Sequence, residues 1–326
     1  MKAPQFWQRK SLFTRFLSCL VPIYQLLTSV DKFFTQQTKF AIPIICVGNI
    51  TSGGAGKTPV AVALAKILLE SGLKVAFVSR GYGGGYQKVL QVDPSLHDAK
   101  MVGDEPLILS KVAPTFVAKN KAEAISLAVA NQAEIVIMDD GLQNNSVYKD
   151  CSILVIDGAY GLGNSYLLPA GPLRESLSSA LKRANFVIII GEDQTDVTAQ
   201  IKGQVPVFTA KVQPIFTPLA QKKYYAFAGI AHPQKFFATL SNLNLSLAGT
   251  KDFPDHYYYS EFDLENLVKS ARALGATLIT TEKDATRISP KYLKEMVILP
   301  IELTFTKNDI QQELFKAIGK EYGTAS

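Results

Sequence analysis

The chain has only three cysteines, Cys19, Cys46 and Cys151, and their scattered placement leaves neither a disulfide framework nor a metal-ligand spacing. Cys46 and Cys151 fall in apolar, strand-like runs, which suits small core residues in a reducing compartment. A membrane-spanning segment is also missing near the N-terminus. The apolar stretch at 16–27 is interrupted by Ser18, Pro22, Tyr24 and Gln25 and falls short of the roughly 20 apolar residues that cross a bilayer. Asp31 and Lys32 follow it where a signal peptide would carry small residues. There is no internal repeat and no low-complexity tract. The formal charge of +6 is not spread over the chain, because residues 1–40 carry Lys2, Arg9, Lys10, Arg15, Lys32 and Lys39 against Asp31 alone. The remainder is near neutral and offers no extended basic face for duplex nucleic acid.

With 47% hydrophobic and 19% charged residues in 326, the chain has enough apolar surface for a sizeable core and enough length for two domains. Its basic N-terminal segment mixes Phe6, Trp7, Phe13, Phe16, Leu17 and Leu20 with arginine and lysine. That pairing of headgroup-seeking cations with boundary-seeking aromatics predicts contact with a membrane surface; a helix packed on the protein's own core is the alternative.

From residue 41 apolar runs alternate with amphipathic stretches, the signature of an α/β domain with a mostly parallel sheet. Strands are predicted at 42–47, 74–79, 134–138, 153–157 and 186–190, and their unbroken Ile/Val content predicts burial on both faces. A helix is predicted over 57–71, with Ala61, Leu64, Ala65 and Leu68 on one side and Gly72 as its stop. Around 203–222 the texture changes to Pro206, Pro214 and Pro218 among alternating residues, as in an extended linker. A second α/β unit follows, with strands at 224–228 and 277–281, a helix from about 233, and a helix over 261–274 that Ser260 and Asp263 cap. The expected organisation is a basic amphipathic segment at 1–40, a core domain at 41–218 and a smaller α/β domain at 219–326.

The segment 47–59 follows a strand and opens a helix, and it contains Thr51-Ser52-Gly53-Gly54-Ala55-Gly56-Lys57-Thr58. Glycines there let backbone N–H groups turn toward phosphate oxygens, and the helix N-terminus adds partial positive charge. Lys57 is placed for the β- and γ-phosphates of a nucleotide and the Thr58 hydroxyl for magnesium, although Thr51 stands where the strict motif has glycine. Asp139 and Asp140, after four apolar residues, supply carboxylates for Mg2+; a simple strand-ending turn at Asp140-Gly141 is the plainer reading.

These residues resemble the tetraacyldisaccharide 4′-kinases of lipid A biosynthesis. The resemblance rests on the ordered set of 47–59, Ser79-Arg80-Gly81-Tyr82-Gly83, Gly103-Asp104-Glu105-Pro106, Asp139-Asp140-Gly141-Leu142-Gln143, Gly171-Pro172-Leu173-Arg174-Glu175, Phe253-Pro254-Asp255-His256 and Thr281-Glu282-Lys283-Asp284. It implies a P-loop core joined to the smaller domain by a two-stranded linker, with ATP and Mg2+ as cofactors. It also implies transfer of the γ-phosphate to the 4′-hydroxyl of a tetraacylated glucosamine disaccharide 1-phosphate, a glycolipid. The implied location is the cytoplasmic face of a Gram-negative inner membrane, with no nucleic acid and no obligate protein partner. Asp104 matches the family's catalytic aspartate and His256 its partner. Substrate contacts are implied for Asn49, Arg80, Tyr82, Glu105, Gln143, Arg174 and Glu175. Without the family, Gly103-Asp104-Glu105-Pro106 reads as a capped helix start, Arg174 and Glu175 as a structural ion pair, and His256 as a loop histidine among tyrosines. The run at 281–284 ends a strand and could reach the nucleotide. Asn144, Asn145 and Lys149 depart from the family pattern of His-Arg and Arg-Asp. Two other readings of a basic amphipathic P-loop chain are a membrane-associated switch ATPase or GTPase and a cytosolic small-molecule kinase. A switch would have no use for Asp104, His256 or the whole second domain, and a cytosolic kinase would leave the bilayer alone.

Overall fold

A computed structural model describes residues 4–26, 35–215, 222–306 and 309–320; Asp31, Lys32 and Pro218 lie outside the described residues. In chain order its strands are β1 (Ile44–Gly48), β2 (Val75–Ser79), β3 (Leu90–Gln91), β4 (Thr115–Val117), β5 (Ile135–Asp139), β6 (Cys151–Asp157) and β7 (Phe186–Ile190). They continue with β8 (Val207–Pro214), β9 (Lys223–Ala228), β10 (Ser246–Asp252), β11 (Ala276–Thr281), β12 (Met296–Leu299) and β13 (Ile301–Phe305). One sheet has nine strands in the order β13-β8-β7-β6-β1-β5-β2-β4-β3, and the other has four in the order β10-β9-β11-β12. The large sheet is parallel apart from β13 on β8 and β3 on β4, and the small sheet is parallel throughout.

The central strands are apolar without alternation because each face of the sheet is covered. On β1, Ile45 and Val47 join the core under the helix Lys57–Glu70, while Ile44 and Cys46 join cores on the opposite face. Successive side chains of a strand point to opposite faces, so burial on both sides demands a hydrophobic residue at every position. The helix buries Ala61, Leu64, Ala65 and Leu68 as their spacing predicts, and Gly72, at φ 80°, follows its end. Leu64 and Leu68 each contribute about 1.5–3 kcal/mol by their burial.

The texture change near 203–222 corresponds to β8, whose antiparallel partner β13 arrives from far downstream. Leu303 of β13 and Ile310, Leu314 and Phe315 of the helix Ile310–Ala317 pack into the large sheet's core. The second unit therefore leaves through β8 and returns through β13, so two strands connect it to the first. Within it, the helix Glu261–Ala273 starts with the reciprocal Ser260–Asp263 capping box.

Candidate active site

The phosphate loop leaves the carboxyl end of β1, in the middle of the large sheet, and ends at Gly56, which begins the Lys57–Glu70 helix. Gly56 holds φ 80°, a left-handed conformation that side chains with a Cβ adopt at a cost. The loop is laced from inside. Asn49 Nδ2 donates to the Thr51 carbonyl at 2.8 Å and to Thr51 Oγ1 at 3.2 Å, and Lys57 Nζ donates to Asn49 Oδ1 at 3.2 Å. Thr51 itself forms a backbone bridge with Leu173 and is buried, which gives the non-glycine residue at this position a scaffold task. Arg174 N donates to the Ile50 carbonyl at 2.7 Å, so the 171–175 turn is stitched to the same loop.

Strand register brings the aspartates to this loop. Val47 pairs with Asp139, which places Asp139 beside the point where β1 becomes the phosphate loop. Thr58 Oγ1 donates to Asp139 Oδ2 at 3.1 Å, while Asp139 Oδ1 is buried and meets no hydrogen-bond partner among the described residues. Burial pushes the Asp139 carboxyl up to about 6, with Lys57 pulling the other way. A buried, half-satisfied carboxylate next to a threonine hydroxyl is a donor set that fits a hard cation such as Mg2+. Asp140 differs from its neighbour. Burial would raise it, but Lys57 and then Arg174 and Lys121 outweigh that and hold it below the usual carboxylate range. Its Oδ1 lies 3.7 Å from Lys57 Nζ and 3.3 Å from Arg174 Nη1.

Arg174 thus pairs with Asp140, and not with the adjacent Glu175. Glu175 turns to Arg183 and to Gln143, and Gln143 Nε2 also donates to the Asn49 carbonyl at 2.9 Å. The turn after Gln143 is braced by its own side chains: Asn144 Oδ1 accepts from Ser146 N at 3.2 Å, and Lys149 Nζ donates to the Leu142 and Asn144 carbonyls at 3.0 and 2.6 Å.

The second unit meets the first at the loops after its strands. Gly103, at φ 89°, leaves no room for a Cβ, which would lie 2.8 Å from the Tyr82 carbonyl. This close approach sets Asp104 at the start of the helix Asp104–Leu109, with Gly103 as the N-cap. The capping role open to Asp104 from sequence is not the one it takes. Its side chain is 2% exposed, and Oδ2 lies 2.8 Å from His256 Nδ1 and 3.0 Å from Arg287 Nε. Burial would raise the Asp104 carboxyl, but the His256 hydrogen bond and then Arg287 and Lys283 hold it below its usual value. His256 sits at φ 58°, a backbone region unusual for a residue with a side chain, and its N–H is tied to the Gly229 carbonyl at 3.1 Å. The exposed Tyr82 ring stands edge-on to the imidazole at 5.7 Å. Lys283 from the 281–284 run pairs with Glu105 at 2.8 Å, so among the described residues that run meets the Asp104 helix.

Asn49, Lys57, Asp140, Gln143, Arg174 and Glu175 are joined by hydrogen bonds and ion pairs, and Asp104, Glu105 and His256 form a second cluster. Arg80 is exposed at the end of β2, and its carbonyl accepts from the Tyr86 hydroxyl. His97 folds back to accept from Asp93 N at 3.0 Å, and His232 stacks near Tyr160; neither joins these clusters. Sequence reasoning missed Lys121, Arg183 and Arg287. Lys121, 3% exposed, donates to the Asp139 and Asp140 carbonyls at 2.8 and 2.9 Å. Its position at the start of a helix, with no motif around it, gave no signal.

A phosphate loop between a central parallel strand and a helix, with a carboxylate in register on the next strand, defines the class: a P-loop phosphotransferase. The family model for tetraacyldisaccharide-1-P 4′-kinase matches residues 13–319, and the chain belongs to that family. The tetraacyldisaccharide 4′-kinase of Parvibaculum lavamentivorans is 48% identical over 299 residues, covering 89% of this chain and 87% of that protein. That of Rhodospirillum rubrum is 42% identical over 311 residues and covers 94% of each chain. The crystal structure of LpxK from Aquifex aeolicus, in complex with ATP, is similar in fold with a TM-score of 0.74 at 24% identity, over 93% of this chain and 99% of that one.

Proposed function

We propose that the chain transfers the γ-phosphate of ATP to the 4′-hydroxyl of a tetraacylated glucosamine disaccharide 1-phosphate. The observation that carries this reading is the Asp104–His256 pair, in which His256 of the second unit meets Asp104 of the phosphate-loop domain at 2.8 Å. A switch ATPase needs no such pair; an enzyme that must orient an acceptor hydroxyl does.

The backbone of 52–56 and the N-terminus of the Lys57–Glu70 helix cradle the phosphates, and Lys57 Nζ reaches their outer oxygens. Thr58, Asp139 and Asp140 are the residues that would hold magnesium, which when bound neutralises charge on the phosphate oxygens. Arg174, released from Asp140, is shaped for bidentate contact with a phosphate group. Asp104 accepts the hydrogen bond of the acceptor hydroxyl and orients it in line with the leaving group. Its low basicity suits a loose transition state, in which the proton moves late. His256 locks the carboxylate's orientation and gives the proton a path outward, and Tyr82 borders the acceptor's place.

The N-terminal segment supports docking of this site on a membrane surface. In the helix Leu12–Ser18, Leu12 is 83% exposed and Phe16 73%, with Arg9, Lys10 and Arg15 nearby. No helix among the described residues is long and apolar enough to cross a membrane. This surface and the lipid nature of the acceptor support a monotopic position on the cytoplasmic face of the inner membrane.

Labelled γ-phosphate from ATP, incubated with detergent-dispersed disaccharide 1-phosphate lipid, tests the reading. Label should reach the lipid with the native protein and fail to reach it with Asp104→Ala or Lys57→Ala. ATP hydrolysis without lipid labelling would favour the switch.

A further inference from the structure

One buried cation beside the site has no part in the mechanism above. Arg287 belongs to the second unit, just after the helix Glu282–Ala285, and its side chain is 0% exposed. Its Nη1 donates to the carbonyls of Gly229 at 2.9 Å and Tyr257 at 3.2 Å and lies 3.4 Å from Asp284 Oδ1. Those anchors are informative. The Gly229 carbonyl also accepts the His256 N–H, and Tyr257 is the next residue along. Arg287 therefore grips the loop that carries His256 with one nitrogen, and its Nε stands 3.0 Å from Asp104 Oδ2 in the other unit. Among the described residues Nε and Nη2 are buried without a hydrogen bond, so Nε meets Asp104 as an ion pair alone. A buried guanidinium with unmet donors is costly to a fold, so packing alone gives a poor account of this residue.

We propose that Arg287 is a positioning residue for phosphoryl transfer: it fixes the Asp104 carboxylate and the His256 loop in one geometry and supplies the counter-charge for Asp104. This rests on the assignment of Asp104 as partner of the acceptor hydroxyl. The groups facing Asp104 are His256, Arg287, Lys283 and the Tyr258 hydroxyl from the second unit and Glu105 from its own helix, with Glu105 already paired to Lys283. Removing Arg287 thus takes away one of two permanent cations near the carboxylate. The carboxyl then becomes easier to protonate, and the acidic limb of the rate profile moves to higher pH.

The test measures kcat against pH and KM for ATP in native protein, Arg287→Met, Arg287→Lys, Asp104→Asn and the Asp104→Asn/Arg287→Lys double variant. Arg287→Met should lower kcat by about 10–100-fold, within the range of acid–base contributions, and move the acidic limb upward with KM for ATP little changed. Arg287→Lys keeps the charge and loses the fork, so the limb should stay in place while kcat falls less. In the Asp104→Asn background, Arg287→Lys should have almost no further effect, because the group it acts through is gone. An unmoved limb in Arg287→Met, or an equal Arg287→Lys effect in both backgrounds, would overturn the proposal. The second comparison holds even if Arg287→Met does not fold. Native activity in Asp104→Asn alone would overturn the role of Asp104 itself, and this proposal with it.

Discussion

His256 Nδ1 lies 2.8 Å from Asp104 Oδ2, although the two are 152 positions apart in the chain and belong to units built on separate sheets. The contact is supported on both sides: Gly103 sets Asp104 at the start of its helix, and the Gly229 carbonyl holds the His256 backbone in its left-handed conformation.

Asp104→Asn should lower kcat by about 100-fold or more, and His256→Gln by less, with KM for ATP little altered in either. Residues that act as one unit do not add, so the double variant should lose little beyond the Asp104→Asn defect. Steady-state kinetics decide this, and losses that multiply would mean that the two side chains work independently.

Asp139 should be a residue whose charge weakens the fold it serves. Its carboxyl is raised from 3.8 in the unfolded chain to about 6 by burial, which corresponds to about 3 kcal/mol of destabilisation at neutral pH. The sign follows from proton binding: above the unfolded value the unfolded chain ionises first, so the penalty appears as pH rises from about 4 and is complete above about 6. Asp139→Asn should therefore melt higher than native protein without magnesium and nucleotide. The gap should widen between those pH values, and transfer activity should be lost. A melting gap that does not change with pH would contradict the assignment.

Lys121→Met keeps the bulk of a buried side chain but leaves the Asp139 and Asp140 carbonyls without their donor. The cost in stability should be about 1–3 kcal/mol, the penalty of an unsatisfied buried polar group. Loosening the backbone beneath both carboxylates should also raise the magnesium concentration needed for half-maximal rate. Denaturant unfolding and a magnesium titration measure the two effects, and a stability loss with an unchanged titration would make Lys121 purely structural.

Replacing Leu12 and Phe16 with serine removes exposed apolar surface and disturbs little packing. Melting temperature and turnover on detergent-dispersed lipid should stay near native values. Binding to anionic vesicles in a sedimentation assay should fall by at least tenfold, because each lost insertion is worth about 1.5–3 kcal/mol. Unchanged vesicle binding would assign the segment to some other surface.

The central strands were legible because a strand covered on both faces must be apolar at every position, and 186–190 was read to the residue. The phosphate loop was legible for a similar reason: glycines, a lysine and a threonine in one short segment are demanded by local backbone geometry. The family resemblance also supplied Asp104 with His256 as its partner, through motifs each confined to a few residues.

What those residues touch was decided by the fold. The helix start at 103–106 reads equally well as a cap, and only the second unit's approach turns Asp104 toward His256 and Arg287. The adjacent pair Arg174 and Glu175 divides because the stitched 171–175 turn sends one side chain to Asp140 and the other to Arg183 and Gln143. Lys121 and Arg287 carry no local signature, since a buried cation is specified by the carbonyls and carboxylates that distant strands bring to it. Local conformational preference wrote the cradle into the sequence. The ion pairs around it depend on desolvation and distance, and those exist only once the two sheets are in place.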